Sequence, residues 1–263
     1  MRATLIETML TNSEPRIKAV ETTFRIVSGI VELQGANTSE ISRYLDLPMS
    51  TAFEHLETLE GLGYIVRREG QYHLSTKFIK RGAESLNSYS IYHISEEELR
   101  NLAKKTGELT SLMIEENGYG VYLYTDDSEN SLDAVVLPGN RSMLHVSAPG
   151  KAILAHLAAD KRNKILKAQG LPKVTQNTIT DMETLHDELE EIRDVGYAID
   201  DEEGVRGLQG IGAPILSQES DEILGAISIY RPADQNIETL VEETVNPLSQ
   251  SKNTIEITYT YHK

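Results

Sequence analysis

The sequence predicts an α+β chain in which a small domain of three helices and a hairpin precedes a larger domain of mixed helices and strands. Three observations predict it. Apolar residues recur at helical spacing in three successive segments before Gly63, two β-rich runs around a glycine turn follow, and helical and strand-like segments are mixed beyond Ser95. The 263 residues are enough to form two hydrophobic cores.

The first helix is predicted from Arg16 to about Leu33, because apolar side chains recur along one stripe of it. The members of that stripe are Ile17, Val20, Phe24, Val27 and Val31. The segment Gly35-Ala36-Asn37 ends the helix. Asn37, with Glu40 three positions on, predicts the N-cap of a short second helix that extends to Leu45.

The third helix is predicted between Pro48 and Gly61, since proline suits a first helical turn and the following glycines end the helix. Its apolar stripe, predicted to be buried, consists of Phe53, Leu56, Leu59 and Leu62. The opposite side carries Ser50, Thr51, Glu54, His55 and Thr58. Short polar side chains at the start of a helix suit the floor of a DNA major groove. An ordinary amphipathic helix with a solvated face would show the same pattern.

The runs Tyr64–Arg68 and Gln71–Leu74 flank Glu69-Gly70 and predict a β-hairpin. Three helices and a hairpin form a winged helix-turn-helix with Arg67 and Arg68 at the tip of the wing. Such a fold binds DNA or, in the alternative interpretation, serves as a ligand-binding or protein-interaction module that does not use DNA. The residues predicted to contact DNA are Arg43, Ser50, Thr51, Glu54, His55, Arg67, Arg68 and, in the helical segment that follows, Lys77.

The second domain is predicted to begin near Ser95, because Ser95-Glu96-Glu97-Glu98 has the pattern of a capping box. The predicted strands are Leu109–Glu115, Val121–Tyr124, Ala134–Leu137, Tyr197–Asp200, Gln209–Leu216 and Ile223–Tyr230. Helices are predicted from Pro149 and from Asp181. Residues 248–263 fit both a strand and a helix face, so periodicity leaves their conformation open. A central sheet with helices suits a small-molecule pocket.

The charge of the chain is distributed unevenly. The net charge is −16, which is unfavourable for phosphate contact. Residues 1–88 carry 10 Lys and Arg against 11 Asp and Glu, whereas residues 89–263 carry 15 against 30. The acidic excess therefore lies outside the predicted DNA-binding domain. An acidic surface with few large aromatic residues also suggests a halophilic protein that works in concentrated salt.

The sequence does not support an enzyme, a metal site or a membrane protein. Gly150-Lys151 lacks the remaining residues of a P-loop, the glycines from Gly207 to Gly212 do not open a helix, and G-x-S-x-G and H-E-x-x-H are absent. With no cysteine, the chain fits a reducing cytoplasm. No run approaches the roughly 18 apolar residues of a membrane span. We therefore expect no catalytic residues, no cofactor, no metal, no membrane association and a cytoplasmic location.

Blocks along nearly the whole chain resemble the IclR family of transcriptional regulators. The resemblance rests on Leu47–Phe53, Leu56–Leu59, Gly63–Ile65, Thr106–Glu108, Gly139–Arg141, Leu144–Ala155, Thr178–Asp181, Glu188–Tyr197, Asp200–Glu203 and Ala226–Ile229. Because these blocks occur in the right order, they are more specific than any one of them alone. The acidic composition further suggests a haloarchaeal member.

The resemblance implies a winged helix-turn-helix, a GAF-like effector domain with a helical tail, and homodimers or homotetramers on palindromic operator DNA. The implied effector-binding residues are Ala148, Pro149, Gly150, Asp200, Gly210, Ser228 and Tyr230. In relatives a ligand carboxylate is held where the helix begins at Ala148, a position that suits an anion. Relatives often carry a small residue at position 230, so Tyr230 would make the cavity smaller or contact the ligand through its hydroxyl. Glu202 and Glu203 are expected in a solvated acidic turn.

Relatives also often carry Lys at the position of Met49 and Arg at that of Glu54, and both basic residues are absent here. The resulting domain prediction is a disordered tail (1–15), a winged helix-turn-helix DNA-binding domain (16–75), a linker helix (76–94) and an effector-binding and oligomerisation domain (95–263). The predicted function is ligand-responsive, sequence-specific transcriptional regulation of a catabolic operon. The predicted effector is a small molecule, a sugar, sugar acid or small organic acid.

Overall fold

The computed structural model describes residues 16–126, 137–234 and 236–261. It divides into an N-terminal unit that ends at Ser88 and a C-terminal unit that begins at Tyr89. The predicted tail (1–15) and most of the predicted strand Ala134–Leu137 lie outside the described residues. In the part that is described, no helix is long and apolar enough to cross a membrane.

The N-terminal unit has three helices, a two-stranded antiparallel ribbon and a fourth helix, as predicted. These elements are α1 (Lys18–Glu32), α2 (Thr38–Leu45), α3 (Met49–Gly61), β1 (Ile65–Arg68), β2 (Gln71–Leu74) and α4 (Lys77–Leu86). The predicted capping box is confirmed: the Asn37 side chain accepts from the backbone of Glu40, whose carboxylate accepts from the N–H of Asn37. Asp46 ends α2 in the left-handed region at φ 52°.

The buried faces of α1 and α3 differ from the predicted ones. In α1 the buried residues are Ile26, Gly29 and Ile30, whereas Ile17, Val20, Phe24 and Val31 are exposed. In α3 the core is formed by Ala52, Leu56 and Leu59, while Phe53 is 48% exposed and Leu62 is 57% exposed. Both helices carry apolar residues on more than one face, and periodicity cannot say which face the neighbouring helices cover.

The C-terminal unit is built on a six-stranded antiparallel sheet in the order β5-β4-β3-β8-β7-β6. The strands are β3 (Leu109–Glu116), β4 (Tyr119–Asp126), β5 (Arg141–Met143), β6 (Ala198–Asp201), β7 (Leu208–Leu216) and β8 (Ile223–Pro232). The helices are α5 (Ser90–Thr106), α6 (Ala148–His156), α7 (Ala159–Gln169), α8 (Met182–Val195) and α9 (Ile237–Tyr261). Residues of α6, α7 and α8 form one hydrophobic core with the sheet.

The structure differs from the sequence-based expectation at two places in this unit and decides a third that was left open. The helix expected after Ser95 begins at Ser90, so Ser95 lies buried inside α5 and does not cap it. From residue 248 as far as Tyr261, the ambiguous tail is helical, as the family resemblance implied, and α9 continues through Pro247. Helix α7 was not anticipated, because residues 158–169 are mostly polar and only Arg162, Ile165 and Leu166 are buried.

Candidate DNA interface and effector site

The exposed side of α3 carries the polar residues expected to contact DNA. Ser50 and Glu54 are exposed, and Thr51 is half-buried beside them. Pro48 immediately precedes the helix, and its carbonyl accepts the first helical hydrogen bond from Ala52. These residues therefore project from one end of a helix whose opposite face is packed in the core, which is the arrangement a major-groove helix requires.

His55 is held by the neighbouring helix. Its Nδ1 lies 2.8 Å from the hydroxyl of Thr23 on α1, and the ring is half-buried. This hydrogen bond joins α1 to α3 and leaves Nε2 as the ring nitrogen for a contact with DNA. Of the predicted contact residues on α3, His55 therefore has the clearest second role inside the domain.

The two arginines of the wing have different environments. Arg67 lies over the ring of Tyr72, with the guanidinium carbon 4.7 Å from the ring centroid, and donates to the Tyr72 hydroxyl at 2.7 Å. Arg68 follows it on the opposite face of the ribbon, exposed beside the turn Glu69-Gly70. Arg67 is thus pre-positioned by the strand across from it, while Arg68 is presented at the tip.

The remaining two basic candidates also differ. Arg43 is exposed in the last turn of α2. Lys77 at the start of α4 donates to the carbonyl of Leu62 at 2.7 Å, and its ammonium lies 4.6 Å from the centroid of the Tyr64 ring. Lys77 therefore attaches α4 to the end of α3, and its ammonium is already hydrogen-bonded within the protein.

The residues predicted to bind an effector meet at the start of α6. The start of α6 packs closely against β7, and this packing requires a glycine at position 212. A Cβ on Gly212 would lie 2.6 Å from the backbone of Ala148 and Pro149. Ser147 caps the helix by accepting from the N–H of Gly150 at 3.3 Å. Pro149 has no N–H to offer.

Tyr230 occupies the position where an anion would meet this helix. Its hydroxyl accepts from the N–H of Ala148 at 3.0 Å and donates to Asp200 at 2.9 Å. The ring lies against Gly210, where a Cβ would come within 2.4 Å of it. Tyr230 is fully buried, and burial followed by the charge of Asp200 raises the pKa of its phenol well above the ordinary value. The phenol is therefore a neutral hydrogen-bonding group that fills the site.

Ser228 lies two positions before Tyr230 on β8 and faces a second buried hydroxyl. Its Oγ lies 2.6 Å from that of Ser111 on β3, in register across the two strands. Both side chains are buried. This pair adds two hydroxyl groups to the polar interior of the sheet.

A buried charge cluster lies next to Asp200, and the sequence did not indicate it. The Lys151 ammonium on α6 is completely buried and pairs with the carboxylates of Glu188 and Glu203. Glu203 was expected in a solvated turn but is 7% exposed, and its N–H donates to Asp200 at 2.8 Å. Lys151 and both glutamates lie in blocks that resemble the family, but residue type alone does not reveal their mutual contact.

The protonation of this cluster follows from burial. Burial raises the pKa of Asp200 to about 6, against the lowering by the Glu203 N–H and by Lys151. Burial likewise raises the pKa of Glu203 to about 7 in spite of Lys151. Burial lowers the pKa of Lys151, but Glu203 and Glu188 outweigh it and hold that pKa above its ordinary value.

These shifts predict a pH-dependent stability. Because the folded-state pKa of Asp200 is raised from 3.8 to about 6, its contribution is fully present below about pH 4 and is lost as the pH rises through 6. We expect about 3 kcal/mol of unfolding free energy to be lost in this way. Urea unfolding at intervals from about pH 3.5 to about pH 7 measures it. Asp200→Asn should reduce the decline and leave the part that comes from Glu203, whose pKa is also raised, and an unchanged decline in that variant would contradict the assignment.

Among the described residues, no group of three or more His, Cys, Asp or Glu side chains is arranged to hold a metal ion. The cluster around Lys151 contains carboxylates, but an ammonium occupies the position between them. Around Asp200 and Lys151, the polar interior is thus built from hydroxyl groups, carboxyl groups and one lysine.

Comparison with known proteins gives two family matches and several close relatives. The model described as "Bacterial transcriptional regulator IclR C-terminal" matches residues 83–256, and the model described as "IclR helix-turn-helix domain" matches residues 22–69. The chain is 31% identical over 253 residues to the probable HTH-type transcriptional regulator ArcR of Halobacterium salinarum. That alignment covers 94% of this chain and 95% of the relative.

Solved structures share the fold. The crystal structure of the Thermotoga maritima IclR protein matches with a TM-score of 0.81 and 30% identity, over 93% of this chain and 99% of that one. An IclR homologue from Microbacterium hydrocarbonoxydans, crystallised with 4-hydroxybenzoate, matches with a TM-score of 0.77 over 93% of this chain and 100% of that one. At 23% identity, the second match concerns the fold alone.

Proposed function

The chain belongs to the IclR family of transcriptional regulators, DNA-binding proteins and not enzymes, and from this premise we propose that it controls a catabolic operon in response to a small-molecule effector. The observation that supports the DNA-binding side best is the exposed polar start of α3 in a winged unit whose ribbon presents Arg68. The observation that supports the effector side is the polar interior around Asp200 and Tyr230.

For the DNA interface, we propose that Ser50, Thr51 and Glu54 meet base edges. Hydroxyl groups can contact bases or phosphates, and a carboxylate can accept from the amino group of cytosine. The described surface of α3 offers no Lys or Arg, so we assign the phosphate contacts to Arg43, Arg67 and Arg68. His55 and Lys77 are already hydrogen-bonded to Thr23 and to the Leu62 carbonyl. They would contact DNA through the ring Nε2 of His55 and the remaining N–H groups of the Lys77 ammonium.

We propose that two copies bind together as a homodimer, the minimum for a palindromic operator, and that homodimers can pair into a homotetramer. The exposed apolar face of α1, with Val20, Phe24 and Val31, supports this, since a second copy would remove it from water. Footprinting of the DNA upstream of the protein's own gene tests both proposals. Two protected half-sites about one helical turn apart are expected, and protection of no specific sequence would contradict the function.

The wing arginines provide a sharper test. Arg68→Ala should weaken operator binding and reduce the slope of log K against log salt by about 1, because one phosphate contact is lost. Fluorescence anisotropy with operator DNA at several salt concentrations measures this. Lys104→Ala, which removes an exposed charge from α5 in the other unit, is the matched control and should leave affinity and slope unchanged. If Arg67 and Arg68 together become Ala without loss of binding, the wing does not contact DNA.

We propose that the effector is a sugar, a sugar acid or a small organic acid that binds at the start of α6. The groups gathered there are Asp200, Tyr230, Ser228 and Ser111, and hydroxyl and carboxyl groups are suited to hydroxylated or acidic ligands. Since the Tyr230 hydroxyl already holds the Ala148 N–H, the effector competes with it for that donor. The 4-hydroxybenzoate bound by the Microbacterium relative is an organic acid with a hydroxyl group, which supports this class.

We further propose that the protein works in the cytoplasm, where a transcriptional regulator meets its DNA. We also propose that it works in concentrated salt. The second proposal is supported by the net charge of −16 and by the similarity to a Halobacterium regulator. High salt weakens nonspecific phosphate binding, so the specific contacts of α3 would matter more for affinity. Greater stability at molar salt than at low salt is the expected result.

A further inference from the structure

A cleft of about 350 Å³ lies between α7 and α8, on a part of the C-terminal unit that does not include Tyr230 or Asp200. Its floor is apolar, formed by Leu166, Leu185 and Leu189, with Met182 at the rim. Arg162 also lines it. The volume lies within the range of small-molecule pockets, which are mostly apolar with a few placed polar groups.

Arg162 is the unusual residue of this cleft. Only 8% of the residue is exposed, and that small exposed part includes the guanidinium nitrogens. Across residues 16–126, 137–234 and 236–261, no hydrogen bond or ion pair of its guanidinium is formed. A buried charge without a partner is expensive, and arginine keeps its charge at any physiological pH. The guanidinium therefore lacks an anion at the place where the cleft is open.

The groups around Arg162 make its charge still less favourable without a bound anion. Burial, and then the like charge of Arg193, lower the pKa of Arg162, while Glu190 raises it from a distance too large for an ion pair. Glu190 is exposed and lies 3.4 Å from His186 on the same helix. Lys167 adds a further cation at the rim. The cleft thus has a cationic edge over an apolar floor.

We propose that this cleft is a second ligand site, which binds an apolar monocarboxylate whose carboxylate pairs with Arg162 and whose hydrocarbon body covers the exposed side chain of Met182. The planar guanidinium can hold a carboxylate through two parallel hydrogen bonds. A hydrocarbon group on Met182, which is 47% exposed, removes apolar surface from water, while the leucines of the floor are already buried. A hydroxyl-rich ligand fits this floor poorly, so the cleft favours acids without hydroxyl groups, whereas the site at the start of α6 offers hydroxyl partners to the ligand.

Helix α8 connects the cleft with the proposed effector site at the start of α6. One face of α8 forms the apolar wall with Leu185 and Leu189, and Glu188 of the same helix pairs with the buried Lys151 of α6. A ligand that moves α8 therefore also acts on α6, whose first residue, Ala148, is hydrogen-bonded to Tyr230. Binding in the cleft does not depend on the proposed effector site.

The test is calorimetric titration of the full-length protein with phenylacetate, a monocarboxylate with an apolar ring, and with phenylacetamide, its neutral counterpart. We expect saturable binding of phenylacetate and none of the amide. Arg162→Gln should weaken phenylacetate binding about 10- to 100-fold, the range for one lost charge-assisted interaction. Lys167→Gln, at the rim of the same cleft, is the matched control and should weaken it by less than about threefold.

A stability measurement separates a binding arginine from a structural one. Since the guanidinium has no partner to lose, Arg162→Met should unfold at the same or a higher temperature than the natural protein. A clear loss of stability in Arg162→Met would assign Arg162 to the structure and overturn the proposal. Equal binding of acid and amide, full phenylacetate binding by Arg162→Gln, or no binding by the natural protein would also overturn it.

Discussion

Replacing Lys151 with methionine should lower the free energy of unfolding of the C-terminal unit by about 3–5 kcal/mol at pH 8, because it leaves the buried carboxylate of Glu203 and the half-buried carboxylate of Glu188 without their cation. Lys151 is completely buried between Glu188 and Glu203 and pairs with Oε1 of Glu203, while Oε2 of Glu203 has no hydrogen-bond partner among the described residues. The loss should shrink towards pH 5, where Glu203 with its pKa of about 7 binds a proton and becomes neutral. Urea unfolding followed by circular dichroism measures both effects.

Two variants distinguish this explanation from a general loss of packing. Lys161 also pairs with a glutamate, but its side chain is 55% exposed, so Lys161→Met should cost about 1 kcal/mol or less. The double variant Lys151→Met with Glu203→Gln should recover part of the lost stability, since the carboxylate with the unpartnered oxygen is then absent. If the double variant is as unstable as Lys151→Met alone, the charge cluster is not the cause.

Replacing Tyr230 with alanine should destabilise the C-terminal unit by about 3–5 kcal/mol, the usual loss when a large buried aromatic side chain leaves a cavity. Tyr230 is fully buried, lies against Gly210 and joins Ala148 to Asp200. The midpoint of urea unfolding measures the loss. A loss below about 1 kcal/mol would show that the site is less tightly packed than the contacts imply.

Tyr230→Phe separates the hydroxyl from the ring. It keeps the ring on Gly210 but leaves the Ala148 N–H and Asp200 without their common partner, at a cost of about 1–3 kcal/mol. If the effector competes with the hydroxyl, this variant should change the effector response while operator affinity without effector stays the same. Ser228→Ala, which removes one member of the buried hydroxyl pair, should behave likewise. If both variants merely unfold the unit, these residues belong to the core.

Much of the chain could be predicted because its signals are local. The Asn37 capping box, the glycines after α3, the turn at Glu69-Gly70 and the stripe of Leu185 and Leu189 each depend on residues within a few positions. The positions of the candidate site residues followed from the same elements and from the family resemblance. Helix α7 was not predicted, because its polar sequence has only a narrow apolar face.

By itself, the sequence determined the order of the elements, the winged helix-turn-helix and the family, since spacing, caps and turn residues act over short distances. Only the tertiary structure decided which apolar face of α1 is covered, that Phe53 stays exposed, and that Lys151 is buried between two glutamates. It also showed that Tyr230 closes the start of α6 and that Arg162 lies without a partner among the described residues. Those outcomes depend on contacts between residues far apart in the chain, and a periodic pattern does not specify which surfaces meet.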